Sequence, residues 1–327
     1  MTTTRGALVS TAVLALAACD NSGFDLGFPA EKTNTVVAIA FLDRDGSRTI
    51  TLPTDTTFAG ARIALLQRGS GDTLRTVLTD TRGVARFTNV TLGDYRIAVA
   101  PGSIGDSLQV AGIDSANIRV ARANDTTIVV VRLSYPEVTL RQARALPPGR
   151  RVFVRGIILA GVQSFRDTTS HAADSSGAIR MTRVVLRGGL TGNTPGDSVS
   201  ALGYTSSRLG QPTLDQAIIS RFGTRPPPLP SIIGSGTAAT ASGGTLDAAL
   251  VQVVSAIISD TVTVTPDFKV VASDGSGSFT VILDANINFV RSIFRLGRPM
   301  SVRGVLVPDG QGGWSLKPRE VADAVVF

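Results

Sequence analysis

The chain has 327 residues, one cysteine, one histidine and a formal net charge of +7. A single cysteine excludes an intramolecular disulfide, and one histidine without a second thiol excludes a zinc site built on nitrogen and sulfur ligands. Of the 32 basic side chains only Lys32, Lys269 and Lys317 are lysines, a skew that base composition alone can produce, so the placement of the charge says more than its total.

Residues 1–5 carry one positive charge at Arg5, residues 7–18 are apolar, and Leu16-Ala17-Ala18 sets small residues directly before Cys19. That layout is a secretory signal, and its apolar part is too short for a permanent membrane-spanning helix. With cysteine immediately behind the small residues, the segment resembles the lipobox of bacterial lipoproteins. The resemblance implies cleavage before Cys19, acylation of its thiol and new amino terminus by chains such as palmitate, and attachment to a membrane of the bacterial cell envelope, periplasmic or surface-exposed. Each buried methylene adds about 0.8 kcal/mol, so several chains on one residue anchor stably. Residues 1–18 are then the signal peptide and 19–34 a polar, lipidated tether.

The rest reads as all-β, because glycine, threonine, valine and serine abound and helical periodicity is scarce. Between 35 and 135, β-branched runs separated by turn signals give strands at 36–42, 61–67, 73–79, 84–88, 95–100 and 127–133. Asp43-Arg44-Asp45-Gly46 invites a calcium site at Asp43 and Asp45, but its glycine is fourth rather than sixth and no glutamate closes the loop, which favours a turn. Thr79-Asp80-Thr81-Arg82-Gly83, Phe87 and Leu92-Gly93-Asp94-Tyr95 follow at set spacings. They resemble the signature of prealbumin-like β-sandwich modules of bacterial surface proteins, also known as carboxypeptidase regulatory-like domains. The resemblance implies a structural or adhesive role; Asp80 to Gly83 would make a hairpin turn, and Phe87 and Tyr95 would fill a thin core.

From 136 onward one unit occurs twice. Val152-Phe153-Val154-Arg155-Gly156-Ile157-Ile158 aligns with Gln252-Val253-Val254-Ser255-Ala256-Ile257-Ile258, and Asp174-Ser175-Ser176-Gly177 aligns with Asp274-Gly275-Ser276-Gly277. Gly196 to Gly203 matches Gly297 to Gly304 with the same separation. The copies, at 136–222 and 245–327, resemble OB-fold modules of bacterial secreted and surface proteins, which implies two small β-barrels. The second copy departs at Ala256 and Arg298, and the first at Ala173. Between the copies, Arg225-Pro226-Pro227-Pro228-Leu229-Pro230 and a Gly/Ser/Thr/Ala-rich run make residues 223–244 a linker.

No phosphate-binding glycine loop, dinucleotide fingerprint or nucleophile elbow occurs. His171 reads as a loop residue, and Asp174, Asp197, Asp274 and Asp284 as turn aspartates rather than acid–base pairs. The expectation is therefore non-catalytic, with no cofactor and no metal; an envelope hydrolase is the remote alternative. Residues 136–230 hold 12 basic and 5 acidic side chains, against 11 and 9 in 35–135 and 7 and 8 in 231–327. The basic first barrel therefore supplies the candidate polyanion-binding residues: Arg150, Arg151, Arg155, Arg180, Arg183, Arg187 and Arg208, with Phe165 and Tyr204 as stacking platforms. The chain reads as a lipid-anchored binding, adhesive or scaffolding protein with a protein or glycan partner. Its alternative is capture of single-stranded or extracellular nucleic acid by that barrel.

Overall fold

The computed structural model describes residues 32–44, 46–113, 116–187 and 190–327. Cys19, most of the tether and Asp45 lie outside the described residues. Among those described, no helix is long and apolar enough to cross a membrane.

The first module is a sandwich of two sheets. In one, Thr33–Leu42 runs parallel to Thr126–Ser134 and antiparallel to Val84–Thr91, with Thr56–Thr57 and Gln109–Ile113 outside. The other orders Thr73–Leu78, Arg62–Gln67, Gly93–Val99 and Asn117–Val120. Alternation decides what is buried: Tyr95 and Ile97 face Val36, Phe87 and Val131 across the core, while Arg96 between them points to solvent. The Asp80 carboxylate accepts from the backbone N–H groups of Arg82 and Val84 at 2.8 and 2.9 Å, which closes the expected hairpin turn. The Tyr95 hydroxyl donates to the Thr91 carbonyl at 2.8 Å. Gln109–Ile113 and Asn117–Val120 go beyond the expected strands; the first carries weak alternation, and the second alternates but is only four residues long.

Each repeat closes into a five-stranded barrel with one strand order. In the first, Arg151–Ala160 pairs with Ser170–Asp174 and with Asp197–Arg208; Gly177–Thr182 runs parallel to Gln211–Thr224 and completes the ring. In the second, Leu250–Val264, Asp267–Ser273, Ser278–Leu283, Pro299–Pro308 and Trp314–Lys317 pair in the same sequence, closed by the parallel contact of Thr280 with Ser315. The repeated glycines answer one demand. A Cβ on Gly203 would come within 2.7 Å of Leu214 Cγ, and one on Gly304 would overlap the Lys317 carbonyl, because the fourth strand crosses the fifth closely in both copies. Where the second copy has Ala256 in place of Gly156, the pairing slips between Val253 and Ala256; the first copy pairs without a break.

A one-and-a-half-turn helix plugs each barrel, Leu140–Ala145 in the first and Ser235–Thr240 in the second. The repeated aspartates cap them. Asp174 Oδ2 accepts from Leu140 N and Asp274 Oδ2 from Ser235 N, both at 2.9 Å, while each Oδ1 accepts from Ser176 or Ser276. This corrects the linker expected at 223–244. Ser231–Ile232 runs parallel to Val251–Gln252, and Ala238 and Ala241 are buried in the second core, so 231–244 belongs to the barrel. Small side chains, which give the segment its linker-like composition, are what a helix lying this close requires: a Cβ on Gly236 would meet the Ser276 carbonyl at 2.5 Å.

The barrels pack against each other through Leu159, Ala160, Phe165, Ala173 and Ala178 of the first and Ala248, Leu250 and Val305 of the second. Arg144 Nη1 bonds Asp247 Oδ2 at 3.1 Å, Arg319 Nη1 donates to the Leu159 carbonyl at 3.1 Å, and the Trp314 indole donates to Asp247 at 3.2 Å.

Candidate binding surface

The outer face of the first barrel is set by alternation along Arg151–Ala160. Val152 and Val154 enter the barrel core, so Arg151, Phe153 and Arg155 share the opposite face. Phe153 is covered by the sandwich: Gly46, at φ +71°, sits where any Cβ would overlap its ring. Asp43 Oδ1 accepts from Gly46 N at 2.6 Å and Oδ2 from Arg48 N at 3.2 Å, with Arg132 at 4.0 Å. Asp43 thus gathers the backbone N–H groups of Gly46 and Arg48, and Gly46 brings the sandwich against the barrel at Phe153.

Around this contact runs a groove of two adjoining cavities, 650 and 490 Å³, that share Phe222. Arg48, Arg155 and Arg225 line the larger and Arg187 and Arg221 the smaller, which also presents Ser47, Thr51 and Ser220. The carboxylates nearby have partners of their own. Glu137 pairs with Arg155 at 2.8 Å, Asp197 with Arg221 at 3.3 Å, and Asp174 is the helix cap. Arg187 Nη1 is buried without a hydrogen-bond partner among the described residues. Phe222 is 57% exposed, with the Arg155 guanidinium 5.4 Å from its ring centre.

A third cavity, of 680 Å³, lies on the other side of the segment bridged to Phe153 by Glu137. Here Arg151 lies over Tyr135 at 4.5 Å and Tyr204 at 5.3 Å and donates to the Tyr135 hydroxyl at 3.0 Å.

The structure therefore divides the residues singled out in the sequence. Arg155 and Arg187 line the groove, and Arg150, Arg151 and Tyr204 line the third cavity. Arg183 is exposed and bound to Asp215, whose pKa this bond holds down to about 2. Arg208 is exposed, with its carbonyl accepting from Arg180 at 3.2 Å.

Three assignments are corrected. Phe165 is 1% exposed and cannot serve as a stacking platform, because it is buried in the barrel–barrel contact. Arg180 is 5% exposed in the same contact; burial lowers its pKa, opposed by Asp247. His171 is also not a loop residue: it lies on Ser170–Asp174, fully buried, edge-on to Phe165 with ring centres 5.8 Å apart. Burial first, then Arg180, pushes its pKa down to about 3, against the pull of Asp167. Tyr135, Phe222, Arg48, Arg221 and Arg225 complete the surface and were not singled out. The run Arg221-Phe222-Gly223-Thr224-Arg225, polar just beyond the last core position of its strand, is the signal that could have found most of them.

No protein-family model matches the chain, and no curated protein does. Among solved structures, the minor pilin GBS52 of Streptococcus agalactiae is similar over 32% of this chain at 15% identity and a TM-score of 0.24; the chain spans only 45% of that pilin. The Escherichia coli protein ygiW is similar over 27% of this chain and 97% of its own, at 22% identity and a TM-score of 0.23. A murine DNA-binding protein bound to double-stranded DNA is similar over 56% of this chain and 98% of its own, at 9% identity and a TM-score of 0.28. At these scores the likenesses transfer neither a whole-chain fold nor an activity. The all-β architecture stands on the pairing of the strands themselves.

Proposed function

We propose that the protein is a lipid-anchored, non-catalytic binding module of the bacterial cell envelope that holds an anionic ligand in the groove between its sandwich and its first barrel. The groove carries the proposal. Five arginines line it; Arg155 and Arg221 are paired with Glu137 and Asp197, while Arg48 and Arg225 are exposed and Arg187 has a buried donor without a partner among the described residues. Anchoring rests on the segment ending in Leu16-Ala17-Ala18-Cys19. The absence of catalysis is supported by His171, the one histidine, being sealed from solvent and neutral at physiological pH.

The test titrates the Cys19→Ser chain with labelled dextran sulfate from about 50 to about 300 mM salt. Binding is expected to weaken steeply with salt and to be reduced by Arg48→Ala with Arg225→Ala, both exposed side chains at the groove. No binding at the lowest salt overturns the proposal.

Phe222 favours a second, narrower reading, in which the ligand is single-stranded nucleic acid with a base stacked on that ring. Phe222→Ala then weakens binding of labelled oligothymidine but leaves dextran sulfate, which has no bases, unaffected. Equal loss for both probes excludes the nucleic-acid reading.

A further inference from the structure

Tyrosine is scarce in this chain, and its distribution is uneven. Of three tyrosines, Tyr95 is in the sandwich core with its hydroxyl bonded to Thr91, whereas Tyr135 and Tyr204 converge on the 680 Å³ cavity beside the first barrel. They come from different elements. Tyr135 follows the last sandwich strand, and Tyr204 lies opposite Arg151 on Asp197–Arg208. The Arg151 guanidinium lies over both rings and bonds the Tyr135 hydroxyl, so it fixes the two rings as one wall. Tyr204 remains 36% exposed. Pro136, Val138 and Leu146 give the cavity lining apolar surface, and Arg150, Asp106 and Ser107 add a donor group and acceptor groups to it.

We infer that this cavity is a saccharide-binding subsite, separate from the arginine-lined groove. A sugar ring presents an apolar C–H face and a rim of hydroxyls that both donate and accept. An exposed tyrosine face matches the first, and a guanidinium together with a carboxylate and a hydroxyl matches the second. The volume suits a small ligand or one or two units of a longer glycan. Other classes fit less well. Arg151 covers one face of each tyrosine ring, so no slot between the two rings remains for an intercalated base, and the Asp106 carboxylate in the lining is an acceptor that suits sugar hydroxyls and not a polyanion. The two sites share no lining residue, and the segment bridged to Phe153 separates them.

The experiment is saturation-transfer NMR and calorimetry on the Cys19→Ser chain, with neutral hexose and neutral N-acetylhexosamine oligosaccharides as probes. Binding of at least one sugar probe is expected. Tyr204→Ala should weaken it about tenfold, Tyr204→Phe should weaken it little, and Arg48→Ala with Arg225→Ala should leave it unchanged. Tyr204 is a surface position on a strand whose core contacts come from Val199 and Ala201, so its variants keep the fold, checked by an unchanged melting temperature. No transfer to any sugar at about 10 mM overturns the inference, and so does sugar binding that Tyr204→Ala leaves intact. Because the groove is probed by dextran sulfate and the arginine pair, either site can fail while the other stands.

Discussion

Gly46 and Phe153 meet with no room for a Cβ: one placed on Gly46, in a sandwich turn, would overlap the tip of the Phe153 ring in the first barrel. Both walls of the arginine-lined groove depend on that contact, since Arg48 is two residues from Gly46 and Arg155 two residues from Phe153. Gly46→Ala would add left-handed backbone strain to a steric clash. Gly60 shares the positive φ, at +82°, but has open space around it. Gly60→Ala should therefore cost about 1 kcal/mol, and Gly46→Ala at least about 1 kcal/mol more. Only Gly46→Ala should also weaken dextran sulfate binding. Denaturant melts and titrations of both variants check this, and equal effects would remove the contact as the organiser of the groove.

His171 makes stability depend on pH above the carboxylate range. Its folded pKa, about 3, lies below the ordinary 6.5, so between these values the unfolded chain binds the additional proton. Stability is then complete above pH 6.5 and falls as pH drops, with a limiting slope of about 1.4 kcal/mol per pH unit. Asp167, Asp215 and Asp274 have lowered pKa values, so their contributions are lost only below about pH 4. Urea melts between pH 4.5 and 6.5 isolate the histidine, and His171→Leu should flatten the profile there.

The repeated aspartate caps predict paired effects. Asp174→Ala and Asp274→Ala each remove the acceptor for a helix amide and for two groups of a local serine. Each should cost about 1–2 kcal/mol. Asn, which keeps the acceptor geometry without the charge, should recover part of that loss. The measurement is chemical denaturation of all four variants; an unchanged midpoint in either alanine variant would show that its cap is dispensable.

Acylation at Cys19 is read by mass and by fractionation. The wild-type chain expressed in a bacterial host should carry a lipid mass on Cys19 and sediment with membranes. Cys19→Ser should lose both. A serine variant that stays in the membrane fraction would mean that something other than this residue holds the protein there.

Much of the scaffold is legible in the sequence. Both barrels can be read because strand crossing imposes the same glycine at 203 and 304 and the same capping aspartate at 174 and 274. The six expected sandwich strands appear because β-branched alternation and the Asp80 turn are local signals. What covers the surface is not a local signal. Phe165 and His171 sit among polar residues in sequence, and only the second barrel makes them core. The arginines likewise divide by their spatial neighbours. Arg183 has Asp215, Arg180 has the opposite barrel, and Arg48, more than a hundred residues from Arg155, reaches the groove from another module.

In single OB barrels, the second and third strands are the face that usually meets oligonucleotides or oligosaccharides. In this protein the corresponding outer positions of the first barrel, Ala173 and Ala178, lie beneath Leu250 and Val305 of its duplicate. The second copy thus occupies the place of a guest. A duplication that makes one barrel the permanent tenant of the other closes that face, and the groove proposed above to bind an anion lies instead at the seam with the sandwich. Separating the barrels would then create a new ligand face rather than expose an old one.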